Sequence, residues 1–541
     1  MIRLARRVLT RLVALVLLGL AFRVAGPRRL RIRHRATEAV PSPGAGTTTS
    51  TVAERWRPAD DESDAERLER SVHGLLLASP ELSAFHTLSP WQGRTLLGLG
   101  AAFVVGLVID AIATLVAFNA VATALYLVVF AYNVRILRTI LGRPPVVNVT
   151  DEEAMAVPEP LLPRYTVLVA AYHESEVIAG TIRALETLDY PPARLEVLLL
   201  LEADDAETIA AAVAALPPTW VRVVPVPHAA PKTKPKALNY GLRLASGELV
   251  TVFDAEDRPD PLQLRRAAVA FARLDPSVAC LQAKLHYHNV GQNQITKWFS
   301  AEYVRWFASV LPALVALKAP IPLGGTSMHI RRDVLEEVGA WDPFNVTEDA
   351  DLGIRLHRLG YRTRVLDSVT YEEANSDFIN WVKQRSRWYK GYLQTWLVHM
   401  RHPRLLWRQL GADGFLGFHV IVGAAPLLAL ANPFFWLLTA IWFLGGLELV
   451  RVLFPPWVFY PALVSVVLGN FLALYQLMIS VRLAAYPSLI VPALLSPLYW
   501  VLMSIAAIRA FAQLIVAPSF WEKTMHGLDR TMGARDSTGS G

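Results

Sequence analysis

Glu248-Leu249-Val250-Thr251-Val252-Phe253-Asp254-Ala255-Glu256-Asp257-Arg258-Pro259-Asp260 is an apolar run of strand length that stops on three acids within four residues. Short apolar runs bounded by turn residues read as buried strands. Three crowded carboxylates repel one another unless a cation lies among them. The end of this strand is therefore a candidate site for Mg²⁺ or Mn²⁺, with Asp254 and Glu256 as hard oxygen ligands that leave room for phosphate. Upstream, Tyr165 to Ala171, Leu195 to Leu201 and Val221 to Val226 are runs of the same kind, and helical patterns at Glu176 to Leu188, Ala206 to Leu216 and Pro235 to Ala245 alternate with them. This alternation predicts an α/β domain over residues 163–380, built on a doubly wound, mostly parallel sheet. Ligands of such sheets bind beyond the carboxyl ends of the strands.

Working outward from the acids, each strand end carries polar residues. The first opens into Ala170-Ala171-Tyr172-His173-Glu174-Ser175-Glu176, which offers Tyr172 and Glu174. The second leads to Asp204 and Asp205, which could accept from a nucleobase N–H or cap the next helix; the residues alone leave both open. Lys232, Lys234 and Lys236 sit at a helix start, where charge and backbone N–H groups suit a diphosphate, though a solvated basic helix end has the same look. Gly324-Gly325-Thr326-Ser327 permits close approach and supplies hydroxyls. Thr347-Glu348-Asp349 reads as an acid pair or as a helix cap, and Gln384-Arg385-Ser386-Arg387-Trp388 falls on an amphipathic helix.

The composition, 53% hydrophobic and 18% charged, is too apolar for an ordinary soluble enzyme of 541 residues. A net charge of +7 without a basic stripe excludes a nucleic-acid footprint, and Cys280, the one cysteine, excludes an intrachain disulfide or a CxxC metal cluster. Runs long enough to cross a bilayer lie at both ends. Residues 1–35 read as an N-terminal anchor with a basic flank, the apolar part running from Val8 to Ala25. Residues 36–65 read as a disordered linker, and 66–95 as an amphipathic segment resting on the membrane or on the catalytic domain. Residues 96–137 are expected to form a transmembrane hairpin turning near Asn119. An interface helix is expected over 381–412. Four membrane helices follow over 413–516, with Arg451 on the side of the catalytic domain and Arg482 on the other. Residues 517–541 close the chain as an interfacial segment and tail.

In this order the segments resemble the family 2 glycosyltransferases of the membrane-bound cellulose-synthase, chitin-synthase and hyaluronan-synthase type, over Arg164 to about Trp396. The resemblance implies the GT-A fold, a catalytic domain on the cytoplasmic side of the cell (inner) membrane, and inverting transfer of a sugar from a nucleotide-sugar, a UDP-sugar by expectation. The acceptor is expected to be a growing polysaccharide or, alternatively, a lipid carrier. Asp204 or Asp205 would contact the base, Lys236 the diphosphate, and Asp254 and Glu256 the phosphates or metal. Asp349 would be the general base, with Glu348 as its alternative, while Gln384, Arg387 and Trp388 would hold donor diphosphate and acceptor sugar. The family's usual Asp, any, Asp motif has Glu256 at its third position here. Phe520-Trp521-Glu522-Lys523-Thr524 looks like a segment that folds over the donor through Trp521, Lys523 and Thr524. A transporter with a nucleotide-sugar-sensing domain is the rival from another class.

Overall fold

The computed structural model describes residues 62–445 and 447–522. The expected anchor, most of the expected linker, and Lys523 and Thr524 lie outside the described residues. Eight strands form one sheet in the order β3-β2-β1-β4-β7-β6-β8-β5. They are β1 (Tyr165–Ala171), β2 (Leu195–Glu202), β3 (Val221–Val226), β4 (Leu249–Phe253), β5 (Arg258–Pro259), β6 (Val278–Tyr287), β7 (Met328–Arg331) and β8 (Arg362–Glu372). The half from β3 to β4 is parallel, as the alternation requires. Beyond β4 the pairing is mixed: β7 is antiparallel to β4 and β6, β8 is parallel to β6, and β5 is antiparallel to β8.

Successive strand residues point to opposite faces, and both faces are dry. Leu168, Leu198, Leu200, Val250 and Val252 pack into one core, and Val167, Val169, Val197, Leu199 and Phe253 into the other. The first core also takes Tyr132, Ile136 and Ile140, from the end of the long helix α3 (Ala111–Leu141), so the sheet is bolted to the apolar helices. Helix α1 (Asp64–Ala78) is capped by Ser63 through a reciprocal pair with Glu66, so a helix begins inside the segment expected to be linker. It packs on α4 (Lys234–Leu242), where Asn239 Nδ2 donates to Ser71 O at 3.0 Å and Arg243 pairs with Glu62 at 2.6 Å. Of the two surfaces expected for the amphipathic segment, α1 rests on the α/β domain.

Among the described residues five helices are long and apolar enough to cross a membrane: α2 (Pro90–Ile109), α3, α8 (Pro403–Phe443), α10 (Pro456–Leu483) and α11 (Ser496–Val516). The hairpin turns at Asp110, whose carboxylate caps α3 by accepting from Ala113 N at 3.0 Å, and not near Asn119. A short polar residue ends a helix more readily than it interrupts one. Asn119 lies inside α3, and its amide donates to Leu453 O at 3.0 Å. The runs expected as separate spans at Phe415 to Ala431 and Phe434 to Leu453 form one column as far as Phe443, with Pro433 inside it, then the short α9 (Leu447–Leu453). Proline within an apolar helix costs little when its neighbours satisfy the freed groups.

Contacts along α3 fix the direction of each leg. Tyr126 bonds Asn432 of α8 at 2.5 Å, and Gln476 of α10 donates to Asn133 O at 2.7 Å, so α8 runs antiparallel to α3 and α10 parallel to it. Arg482 therefore ends α10 on the domain side and Arg451 lies at the far end, the reverse of the expected placement. Helix α11 runs beside α7 (Phe378–His399). Trp381 Nε1 donates to Tyr499 OH at 3.2 Å near its start, and Gln394 Nε2 to Pro518 O at 3.0 Å just past its end. Both ends of α11 thus lie on the domain side. Two legs after the domain, α8 and α10, run out and back where four spans were expected.

Candidate functional site

The acids after β4 are held in place by one of their own. Asp257 is 2% exposed; its Oδ2 accepts from Asp254 N at 2.8 Å and from the Thr326 hydroxyl, which ties the β4 end to the Gly324–Thr326 loop. Its Oδ1 is buried with no hydrogen-bond partner. Burial first, then the Asp254 and Glu256 charges, push the Asp257 carboxyl well above the usual carboxylate range. Glu372, at the end of β8, joins the cluster because β5 pairs Arg258 with Tyr371. Burial, followed by Asp257, Asp254 and Glu256, raises its pKa too.

Lys234 answers this negative charge. Its ammonium pairs with Asp254 Oδ1 and donates to Gly325 O at 2.8 Å. Burial lowers its pKa, but Asp254 and Glu348 outweigh that and hold it above the ordinary lysine value. A Cβ on Gly325 would stand 3.3 Å from Asp349 Oδ2 and 3.8 Å from Lys234 Nζ, so the glycine lets lysine and acid approach across its α-carbon. Lys236 is one turn away from this role: with Thr233 at the N-cap, it points into the core and pairs with Glu202 at 2.7 Å, fully buried. Lysines at alternate positions cannot share one helix face. The sequence expectation named Lys236; Lys234 and Lys232 are the lysines that line the cavity.

Helix α6 (Glu348–Arg358) presents Glu348 and Asp349 in its first turn, where the helix dipole favours anions. It is anchored by a buried triad: the Asp351 carboxylate accepts from Arg355 Nε at 2.7 Å and pairs with His399 Nε2 at 3.0 Å, while Arg355 also reaches Val338 O and Ala340 O. Burial pushes Glu348 up to about 8, helped by the Asp349 charge, and burial also raises Asp349. The Asp349 charge is among the causes that hold the proton on Glu348, so the two carboxyls do not ionise independently. On α7, Gln384 accepts from Asn375 Nδ2 at 3.0 Å, and Arg387 lies 4.5 Å from the Trp521 ring. Arg385 grips Glu302 of α5 (Gln294–Arg305) at 2.9 and 2.6 Å and stacks under Trp388 at 4.7 Å.

One cavity of about 1170 Å³ gathers Tyr172, Glu174, Asp254, Glu256, Glu348, Asp349, Gln384, Arg387, Trp388 and Trp521. Asp205 is not on its wall; it is 2% exposed, caps the helix Ala206–Ala214 and accepts from His173 N at 2.5 Å. Asp204 sits off the wall, paired at 2.5 Å with Lys232, which lies over the Tyr172 ring at 4.6 Å. Among the three lysines that suited a diphosphate, the resemblance gave the role to Lys236 and not to Lys234. Gly325 and Arg385 stood inside quoted motifs without a role, while Glu372 carries no local signal, since only strand pairing brings it to the acids.

Asp254 and Glu256 supply hard oxygens, and Asp257 Oδ1 is an orphaned buried acceptor beside them. Among the described residues no three His, Cys, Asp or Glu side chains form a ready-made cage. This donor set fits a cation that takes one or two protein oxygens and fills its shell with phosphate and water, as Mg²⁺ and Mn²⁺ do.

Residues 163–391 match the family model described as "Glycosyltransferase like family 2". "Probable glycosyltransferase YdaM" of Bacillus subtilis is 29% identical over 235 residues, covering 42% of this chain and 55% of the relative. "Beta-monoglucosyldiacylglycerol synthase" of Trichormus variabilis is 30% identical over 242 residues, covering 44% of this chain and 50% of the relative. The chain thus spans about half the length of these two curated relatives. Among solved structures, "Mannosyltransferase PcManGT from Pyrobaculum calidifontis in complex with GDP-Man and Mn2+" superposes with a TM-score of 0.46 at 21% identity, over 74% of this chain and 98% of that one.

Proposed function

We propose, for a chain whose residues 163–391 are a glycosyltransferase family 2-like domain, that it transfers a sugar with inversion from a nucleotide-sugar, in the first instance a UDP-sugar, to an acceptor hydroxyl delivered from the membrane. One observation carries the reading: the cavity that holds Asp254, Lys234 and Asp349 continues without a break between α3, α8 and α10.

The donor's diphosphate lies toward Lys234 and Arg387, two of the cations that line the cavity, and its base toward Tyr172 and the Asp204–Lys232 pair. Asp254 and Glu256 would hold a divalent ion, which would supply charge neutralisation for the departing diphosphate. Asp349 accepts the acceptor hydroxyl's proton while the oxygen attacks the sugar's anomeric carbon opposite the leaving group. The bond to the diphosphate breaks with its electron pair going to phosphate, and no covalent enzyme intermediate forms. Trp388, stiffened by Arg385, offers a flat face to the acceptor, and Trp521 over Arg387 closes the donor side.

The acceptor supported best is a lipid hydroxyl. In the apolar windows of α3 and α10 only 11% of residues are buried, so most of the surface of these two helices, which wall the cavity, is free to face lipid. A growing polysaccharide is the second reading, supported by the cavity's reach to Phe443 and Phe459 at the far ends of α8 and α10. Purified protein supplied with a UDP-sugar panel and membrane lipids should release UDP and form a lipid carrying one added sugar by mass spectrometry. A ladder of long glycans would favour the second reading, and no UDP release with any nucleotide sugar would refute transfer.

A further inference from the structure

Arg305, the last residue of α5, faces the cavity where the domain meets the apolar legs. Its guanidinium makes one hydrogen bond, a long one of 3.4 Å to Gln476 Oε1 of α10. Among the described residues no carboxylate lies within ion-pair distance of it, and no aromatic ring takes its face. The acid one turn back, Glu302, is already held by both Arg385 nitrogens and by Tyr499 OH at 2.9 Å. A guanidinium in a partly desolvated place with only a neutral partner is costly unless an anion completes it.

Its depth says which anion. Gln476 lies seven residues before the end of α10 at Leu483, roughly 10 Å along the axis at 1.5 Å per residue, the depth of a headgroup below the helix end. Outward from Arg305, the cavity walls on α3, α8 and α10 carry aromatic, aliphatic and neutral polar side chains such as Phe435, Leu463 and Asn470, with no charge among them. Glu302 is close enough for its charge to act on Arg305, but its oxygens are taken by Arg385 and Tyr499, so the Arg305 guanidinium hydrogen-bonds only a neutral amide. A cation so placed, followed by an uncharged, mostly apolar passage, is the complement of an anionic amphiphile. We infer that Arg305 binds the phosphate of a phospholipid with a net-anionic, hydroxyl-bearing headgroup whose acyl chain lies between α8 and α10, and that this lipid presents the acceptor hydroxyl. The inference rests on the lipid reading of the acceptor.

The test is lipid retention by the full-length protein, purified from nanodiscs of phosphatidylglycerol mixed with phosphatidylcholine and analysed by native mass spectrometry. The wild type should retain phosphatidylglycerol over phosphatidylcholine. R305Q should reduce that preference about fivefold and R305K should restore part of it, since one basic group at a membrane surface contributes on the order of 1 kcal/mol. Glycerol phosphate, which has the anion without the chain, should displace little lipid. Equal retention of the two lipids by the wild type overturns the proposal without reference to any variant. So does an R305Q preference matching the wild type, or displacement of the lipid by glycerol phosphate at equal concentration. No sugar enters the measurement, so its failure leaves nucleotide-sugar transfer standing, and absent transfer leaves the lipid preference readable.

Discussion

Asp349 and Glu348 are adjacent and both shifted upward, Glu348 buried and Asp349 half-buried, yet they are not equivalent. Burial, helped by the Asp349 charge, pushes Glu348 up to about 8, whereas Asp349 is raised by burial and lowered by its Ala350 N–H, Lys234 and Arg387, which makes Asp349 the better base of the two. Asp349→Asn should cut transfer by roughly 10²-fold or more while leaving nucleotide-sugar binding, measured by calorimetry, near the wild-type value. The kcat/KM profile should rise with pH as Asp349 ionises, with its midpoint above the ordinary aspartate range, and Asp349→Asn should remove that limb. Loss of activity in Glu348→Gln with Asp349→Asn active would move the base to Glu348. Stability follows the same sign: Glu348 binds a proton in the folded state at pH values where the unfolded chain has lost it, so its burial costs stability increasingly between about 4.5 and 8. Glu348→Gln should therefore gain melting temperature relative to the wild type as pH rises through that window.

The two lysines of α4 separate along similar lines. Lys234→Met should weaken donor binding with a modest effect on melting, because its Nζ faces the cavity. Lys236→Met should leave Glu202 buried and unpaired at a cost of about 3–5 kcal/mol, read in thermal unfolding. The reverse pattern would restore the sequence expectation. That expectation identified the motif from its charge, but which lysine faces the site depends on where the helix begins. Asp205 is a similar case: the residues left base contact and capping open, and the turn geometry resolved it as a cap.

At the scale of elements, the parallel half of the sheet and the polar strand ends were legible because periodicity and turn residues are local signals. The β6–β8 half, with Glu372, was not, because its register depends on pairings across some ninety residues. Hydropathy located the apolar runs but miscounted the legs. It registers composition and length, whereas Pro433 lies within a helix and α11 packs along α7 with both ends on one side. Single cysteines near Pro487 and Ala517 should therefore be labelled by an impermeant thiol reagent from the same side of sealed vesicles as the catalytic domain. Cys280 is fully buried, so background should be low. Labelling of the two positions from opposite sides would make α11 a crossing helix.

Across the whole molecule, a clasp before the first apolar helix joins parts of the site that are distant in sequence. Asp342 accepts from Ala84 N at 2.5 Å, beside the loop that leads to Asp349, and Arg401 takes the carbonyls of Pro80, Glu81 and Ser83 at 2.8 to 3.0 Å. Deleting residues 37–61 stops short of Glu62 and this clasp, and should leave donor turnover intact in membranes. Extending the deletion through Ala84 should abolish it. Excess chelator should likewise abolish turnover, in line with the carboxylate donor set at Asp254 and Glu256.

The central claim, that this cavity transfers sugar from a nucleotide donor with Asp349 as base, is tested most directly by UDP release. Wild-type protein and Asp349→Asn, reconstituted in lipid nanodiscs with Mn²⁺, are each given a panel of UDP-sugars and a lipid acceptor, with UDP and product quantified together. The expected result is equimolar UDP and glycosylated product from the wild type with one donor, and a rate lower by roughly 10²-fold or more in the variant at unchanged donor affinity. Equal product from both proteins, or no product from either with every donor, would contradict it.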